Sequence, residues 1–593
     1  MENIAIARLL EETAALLEID AADTFRIRSY RRAAEAVEQQ TTQLAGLVAA
    51  DPKQLLAIPG IGKGMAANIC EIVATGTMPI RVELLTKYKP TMLELLRLPG
   101  MGPKTVALLW SALGVADIDA LEEAAKAGKL AELPRMGEKF AAKLLKGIED
   151  YRRNTGRFRI DQARREAALI SALIFEFAGI EEITPAGSLR RGRESVGDLD
   201  LLVTGPACEP DKVAAAVEHV ATLPLIDKLI ARGQNKVSFT LRNQLQVDVR
   251  LLPRSSYGAA LQYFTGSKHH NVALRQRAIK RGMTLNEYAL LRLDDNSIVA
   301  AATEEEIYRA LELEFIPPEL RENCGEIEAA AASFAKEEAG GLPRLIELAD
   351  IRGDLHMHTE ATDGRDTIRA MAEAAMVRGL KYIAITDHSK NLAMTNGLDD
   401  ERALAHVRRI REVDAELKKE HTGKIRVLAG IEVDILADGS LDLADSTLAE
   451  MEIVIASVHS HFAQPLEEMT ARVLRAMENP HVRILGHPTG RKILSREAYA
   501  LDIERVLARA AELGVAVEHN ASPARADLSD LHLRRARELG CRIVVNTDAH
   551  STEELGQMRY GITQLRRAWL TAADVVNTSP TAEELLAKLR PKP

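Results

Sequence analysis

Asp198 and Asp200 stand inside the apolar run DLDLLV, and Asp248 stands inside LQVDVRLL. On a β-strand alternate residues share a face, so Asp198 and Asp200 point one way and Leu199 and Leu201 the other. Carboxylates gathered on one face repel unless a cation lies between them. Three of them suit a pair of Mg²⁺ ions about 3.5–4 Å apart, one activating a hydroxyl and the other holding a triphosphate and its leaving group. Just upstream, GSLRRG (187–192) offers Ser188, Arg191 and a glycine turn to phosphates.

A second set of ligand-type residues lies further on. DLHMHTEATDG supplies His356, His358 and Asp363, with the two histidines on one strand face and Leu355 and Met357 on the other. Later apolar runs each end in a ligand type: His388 (AITDH), Glu432 (GIEVD), His459 (ASVHSH), His487 (LGHP), and Asp548 with His550 (NTDAH). A lone histidine is by default a surface or capping residue. Repeated placement at strand ends points instead to one metal cluster, because parallel barrel strands converge at their C-terminal ends. Nine imidazole and carboxylate ligands can hold two or three ions, of which Zn²⁺, Mn²⁺ and Fe are the candidates.

These residues need scaffolds. The chain has 593 residues, enough for several cores, with 46% hydrophobic and 27% charged residues. Residues 1–150 have helical periodicity throughout. Residues 160–320 mix short strand-like runs with helices. Residues 321–350, Ala/Glu-rich and ending in GGLP, are expected to be a linker. From 351 seven strand-like runs alternate with helices, which predicts an α/β barrel over 351–575, followed by a tail, 576–593. No apolar run of about 18 residues and no leader is evident, so neither a membrane span nor secretion is expected. The four cysteines are dispersed, with no CxxC, as in a reducing cytoplasm. The net charge of −9 divides unevenly, with 40 Lys+Arg against 36 Asp+Glu in residues 1–300 and 37 against 50 thereafter.

The helical region contains a repeat. LLAIPGIGKGMAANICEIV (55–73) and LLRLPGMGPKTVALLWSALG (95–114) share a helix, PGxG turn, helix pattern. LAELPRMGEKFAAKLLKGI (130–148) is a weaker copy with Arg135 at the first glycine position. The turn glycines Gly60, Gly62, Gly100 and Gly102 expose backbone N–H groups at a helix N-terminus, a place for one DNA phosphate. Such a contact fixes a backbone without reading sequence. The pattern resembles the helix-hairpin-helix motif.

GSLRRGRESVGDLDLLV, VDVRLL, YFTGSKHHNVALR and GMTLNEYAL together resemble the family X DNA polymerases over about residues 1–320. The resemblance implies a helical DNA-binding domain (1–85), a second helix-hairpin-helix domain (86–155), an α+β nucleotidyltransferase palm (156–255) and a nascent-pair-binding subdomain (256–320). It implies Asp198, Asp200 and Asp248 as catalytic Mg²⁺ ligands. Gly187, Ser188, Arg191 and Gly197 would bind the incoming dNTP, Tyr263, Phe264 and Gly266 would line the sugar pocket, and Asn271 and Arg275 would lie near the nascent pair. Arg26, Tyr30 and Lys63 are candidates for a 5′-phosphate at a gap. Members that remove 5′-deoxyribose phosphate carry a lysine nucleophile where this chain has Asn68, so that activity is not expected by that route.

HxH, TDH, GIE, SVH, GHP and TDAH resemble the PHP (polymerase and histidinol phosphatase) domain, with all nine ligand positions filled. That resemblance implies a (β/α)7-type barrel, a trinuclear Mn²⁺ or Zn²⁺ site bridged by Glu432, and hydrolysis of phosphate esters. His461, His519 and Asn520 are weaker candidates for substrate contact. Together the resemblances imply a monomeric cytoplasmic, nucleoid-associated repair enzyme that fills gapped or primed DNA and trims 3′ ends, with abasic-site incision a further expectation. Two alternatives are a metabolite phosphomonoesterase and a non-catalytic DNA-binding scaffold.

Overall fold

The computed structural model describes residues 3–38, 44–58, 60–96, 98, 100–134, 136–154, 156–337, 340–392, 395–421 and 423–589. It divides into two compact units, residues 1–156 and 157–593. Among the described residues no helix is long and apolar enough to cross a membrane, and all four cysteines are free.

The first unit is helical. Helix α1 (Asn3–Ile19) buries Ile6, Leu10 and Leu17 against Ile27, Tyr30, Ala34 and Val37 of α2 (Thr24–Glu38). The i, i+4, i+7 spacing of those side chains is what makes each helix amphipathic. Gly62 and Gly102 are the N-caps of α3 (Lys63–Thr75) and α4 (Pro103–Leu113). Before them Gly60 and Gly100 take φ of +96° and +83°, which an L side chain resists. Arg135 of the third copy lies outside the described residues.

The second unit begins with a five-stranded sheet: β1 (Glu182–Pro185), β2 (Asp198–Thr204), β3 (Ile226–Arg232), β4 (Lys236–Leu241) and β5 (Gln246–Leu251), in the order β1-β2-β5-β4-β3. Leu199, Leu201 and Val203 of β2 and Val247, Val249 and Leu251 of β5 bury one face. The aspartates take the other. A second core gathers α5 (Tyr257–Thr265), α6 (Lys268–Lys280), a three-stranded antiparallel sheet and α7 (Glu304–Ala310). Residues 321–350 are not a free linker: α8 (Glu326–Phe334) buries Ile327 and Ala330 in this core, as does Leu345 beyond it. Ala/Glu composition alone did not distinguish a solvated linker from a helix with one apolar face.

The C-terminal barrel has seven parallel strands in sequential order: β6 (Gly353–Asp354), β7 (Tyr382–Ile385), β8 (Arg426–Asp434), β9 (Ile453–Ser457), β10 (Ile484–Leu485), β11 (Ala516–Asn520) and β12 (Ile543–Asn546). A parallel bridge between Met357 and Ala549 brings the first and last segments together. Strand β6 is shorter than the sequence suggested, and His356 and His358 follow it. Leu355 enters the barrel interior while Met357 packs in the outer layer, so the expected two-face alternation breaks there. The expected tail is also structural. Val576 and, from α10 (Ala582–Leu589), Ala582, Leu585 and Leu589 plug the barrel interior alongside Leu355, Tyr382 and Leu428.

A helix near the chain end, α9 (Met558–Arg567), joins barrel to palm. Its Tyr560 belongs to the palm core. Gln564 Nε2 donates to Gly192 O at 2.7 Å, and Arg567 donates to Arg191 O at 2.7 Å and Glu322 at 3.1 Å. Arg491 of the barrel pairs with Glu194 of the palm at 2.7 Å.

Candidate active sites

Strands β2 and β5 run parallel with Asp200 directly beside Asp248, and Asp198 beside Gln246. The three carboxylates thus crowd one sheet face. Burial, with the Asp198 and Asp248 carboxylates beside it, pushes the Asp200 carboxyl up to about 6. Burial also acts on Asp248, but hydrogen bonds from Lys236 and Ser238 outweigh it and hold that carboxyl below its ordinary range. Lys236 Nζ sits 2.8 Å from Asp248 Oδ2, while the buried Asp248 Oδ1 has no hydrogen-bond partner among the described residues. An orphaned acceptor and a crowded acidic face fit a divalent cation.

The turn before β2 is built around these groups. Gly187 has φ +58°, and a Cβ there would lie 2.7 Å from Asp200 Oδ2. Arg190 pairs with the buried Glu304 of α7 at 2.7 Å, and Glu304 also receives buried Arg321 at 2.6 Å. Arg191 is turned toward Thr265 O, 2.5 Å away, and Glu322, 3.2 Å away. Its Nη1 lies 3.3 Å from where a Gly266 Cβ would stand, so the 187–192 turn and the aromatic turn meet. Tyr263 and Phe264 pack edge-to-face at 5.1 Å, and Arg250 stacks on Phe264 at 4.0 Å. Asn271 accepts from Gln262 and donates to Tyr263 O. Ser188 is half-buried in the turn, and Gly197 comes close to Arg157. Arg275 is exposed on α6.

In the barrel, Glu432 sits at the centre of the ligand set. His388 Nδ1 lies 2.9 Å, His487 Nε2 3.0 Å, His356 Nε2 3.4 Å, His459 Nε2 3.4 Å and His358 Nε2 3.7 Å from its oxygens. Asp548 approaches His358 at 3.0 Å, and Asp363 approaches both His388 and His550 within 3.5 Å. These residues form three groups with ligand atoms within 4.8 Å of one another: His358, Asp363, His388 and His550; His356, His358 and Asp548; and His388, Glu432 and His459. Among the described residues His356 Nε2, His358 Nδ1, Glu432 Oε2, His459 Nε2 and His487 Nδ1 are buried without a well-aligned hydrogen bond. So many unpartnered buried acceptors in one cluster fit metal ions, since otherwise each carries a desolvation cost. Burial together with neighbouring His388 and His550 pushes His358 down to about 4, leaving it neutral as a ligand must be. Against burial, Glu432 and Asp363 lift His388 to about 10.

Family models match residues 1–78 to a helix-hairpin-helix domain, 92–150 to a SAM-like helix-hairpin-helix tandem, 260–322 to the DNA polymerase beta thumb and 354–520 to the PHP domain. The DNA polymerase/3′-5′ exonuclease PolX of Bacillus subtilis is 38% identical over 579 residues, 97% of each chain. The chain belongs to the PolX family. Probable phosphatases of Thermoanaerobacter pseudethanolicus and Syntrophotalea carbinolica are 31% and 29% identical over 236 and 234 residues. They cover 38% of this PolX-family chain and 89% and 90% of their own.

Sequence reading missed some supporting residues of this PolX-family chain. Glu518 of β11 accepts from His356 Nδ1 at 2.8 Å, which leaves Nε2 free to ligate. Asp434 similarly faces His459 Nδ1 at 3.3 Å. Parity could have found Glu518: with Ala516 inside the barrel, Glu518 and Asn520 must face inward and His519 outward. Accordingly His519 is tied to Leu528 O at 2.7 Å, while Asn520 donates to Asp548 at 2.9 Å. His461 is exposed and does not line the mouth.

In the helical unit Arg26, Arg28, Arg32, Tyr30, Gly60, Gly62 and Asn68 line a groove of about 1480 Å³. Asn68 Nδ2 donates to Tyr30 Oη at 2.9 Å. Among the described residues no lysine lines the groove, and Lys63 lies outside it.

Proposed function

We propose that this protein is a DNA-directed DNA polymerase that fills gaps from dNTPs, and that its PHP barrel trims 3′ ends as a metal-dependent 3′-5′ exonuclease in DNA repair. The observation that carries the reading is the presence, in one chain, of three aspartates on adjacent parallel strands and, at the barrel mouth, eight clustered ligand-type residues with His487 beside Glu432 as a ninth. Asp198, Asp200 and Asp248 would hold Mg²⁺; His356, His358, Asp363, His388, Glu432, His459, His487, Asp548 and His550 would hold two or three Mn²⁺ or Zn²⁺ ions. When bound, such ions lower the pKa of an attacking hydroxyl or water and stabilise charge on phosphate oxygens.

The chain's own residues do the rest. Gly187 gives the turn its close approach to Asp200, so a triphosphate seated on Ser188 and the turn amides is held beside the carboxylates. Tyr263, Phe264 and Gly266 present a ring pair and an open backbone to a deoxyribose. Asn271 fixes the Tyr263 carbonyl, and Arg275 faces the open side. Incorporation joins the primer 3′-oxygen to the α-phosphorus and expels pyrophosphate. In the helical unit, the Arg26–Tyr30 groove and the Gly60–Gly62 and Gly100–Gly102 turns supply backbone contacts to gapped or primed DNA. Hydrolysis at an abasic site is the same phosphodiester chemistry. A monomer in the bacterial cytoplasm, beside the nucleoid, fits this work.

The test uses a 5′-labelled primer on gapped DNA with Mn²⁺, with and without dNTPs. Extension lost in Asp198→Asn/Asp200→Asn and shortening lost in His356→Ala/His358→Ala are expected. Extension by the aspartate variant, or shortening by the histidine variant, would overturn the assignments.

A further inference from the structure

The barrel mouth carries cations that the ligand cluster does not account for. Besides the ligand cluster, its wall of about 520 Å³ includes Lys492, Arg496 and Arg525. Lys492 and Arg496 are paired in a tight antiparallel turn just after the GHP motif, with N–H to O distances of 2.8 and 2.9 Å in both directions. Directly opposed residues of an antiparallel pair send their side chains to the same side. Ile493 N donates to Ala524 O at 2.7 Å, which pins this turn to the loop carrying Arg525. Arg496 is held stiffly: it donates to Gly490 O at 2.6 and 2.9 Å and lies 4.2 Å over Phe462, itself stacked on half-buried Tyr499. Arg525 reaches Asp548 at 3.3 Å, beside the cluster. Among the described residues the exposed Lys492 ammonium has no side-chain partner. Partial burial, and then the nearby Arg525 charge, lower the pKa of both Lys492 and Arg496.

We propose that Lys492, Arg496 and Arg525 form a preorganised clamp for the phosphate next to the scissile one, so that the barrel selects polynucleotide 3′ ends over isolated phosphate esters. The proposal rests on the exonuclease reading above. The physical reason is charge matching. A nucleic acid brings one negative charge per nucleotide, and the Lys492 ammonium beside the cleavage centre meets a counter-charge when a flanking phosphate is present. Arg525, already paired with Asp548, orients the end nearest the cluster. Lys492, unpaired, supplies the free charge, and Arg496 fixes the turn between them.

The experiment uses full-length, Mn²⁺-loaded protein and two probes: a 5′-labelled single-stranded ten-nucleotide oligomer, and a dinucleotide whose single phosphodiester has no neighbour. In Lys492→Met the KM for the oligomer rises about 10-fold with kcat within about 2-fold, while the dinucleotide kinetics do not change. The slope of log(1/KM) against log[salt] falls by about 0.7, the value for one lost single-strand phosphate contact. Lys492→Arg restores most of the affinity. Equal loss on both probes, or no change on either while wild type shortens the oligomer, would overturn the clamp. So would loss of Mn²⁺ stoichiometry in Lys492→Met, which would assign the lysine to the cluster. A wild-type protein that cleaves the dinucleotide but never the oligomer would instead overturn the exonuclease reading, and the clamp with it.

Discussion

At the scale of single residues, this protein stores repulsion where it needs cations. Asp200 is the clearest case. Its carboxyl is raised to about 6, so ionisation weakens the metal-free fold above that pH, and the penalty is absent below about pH 4, where the group is protonated folded or unfolded. Asp200→Asn should therefore stabilise the metal-free protein by about 1–3 kcal/mol at pH 7.5, with the gain fading toward pH 4. The same substitution should cut nucleotide incorporation by about 10²-fold or more. Melts in EDTA across pH, beside a single-nucleotide incorporation assay, check both halves of this trade. Glu518→Gln is the counterpart in the barrel. It weakens the hold on His356 without removing a ligand, and Mn²⁺ affinity measured by calorimetry should fall 10–100-fold.

At the scale of elements, glycine and strand parity place the chemistry. Gly187→Ala puts a Cβ against Asp200 Oδ2 at a left-handed φ. It should cost about 1–3 kcal/mol and slow incorporation, while barrel-dependent shortening continues. Parity also explains what was legible in the sequence. The DLDLLV alternation put Asp198 and Asp200 on one face because buried leucines fix the other, and the strand in the fold has that arrangement. The barrel followed from its seven apolar runs. What escaped reading depends on contacts far apart in sequence. His356 and His358 lie past a two-residue strand, where alternation no longer constrains direction. Glu518 reveals its role only once His356 is known to face it. Residues 321–350 and 576–589 looked like connectors because their apolar positions are sparse, yet each finds a core to enter.

At the scale of the whole molecule, palm and barrel share a seam closed by α9. Arg567 has 3% of its side chain exposed and serves Arg191 O, Glu322 and Asp530 at once. Arg567→Ala should destabilise the protein by about 2–3 kcal/mol, because it removes charge-assisted hydrogen bonds to the half-buried Glu322 and Asp530. Chemical denaturation should then show the palm and barrel still unfolding together, at lower urea. The seam also has a consequence in time. The palm leaves the ribosome hundreds of residues before Tyr560, the side chain that completes its core, and before Gln564 and Arg567, which bond the carbonyls of Gly192 and Arg191. A nascent polymerase half is therefore unfinished until α9 has been made, and a chain that stops short of α9 is born with its palm open.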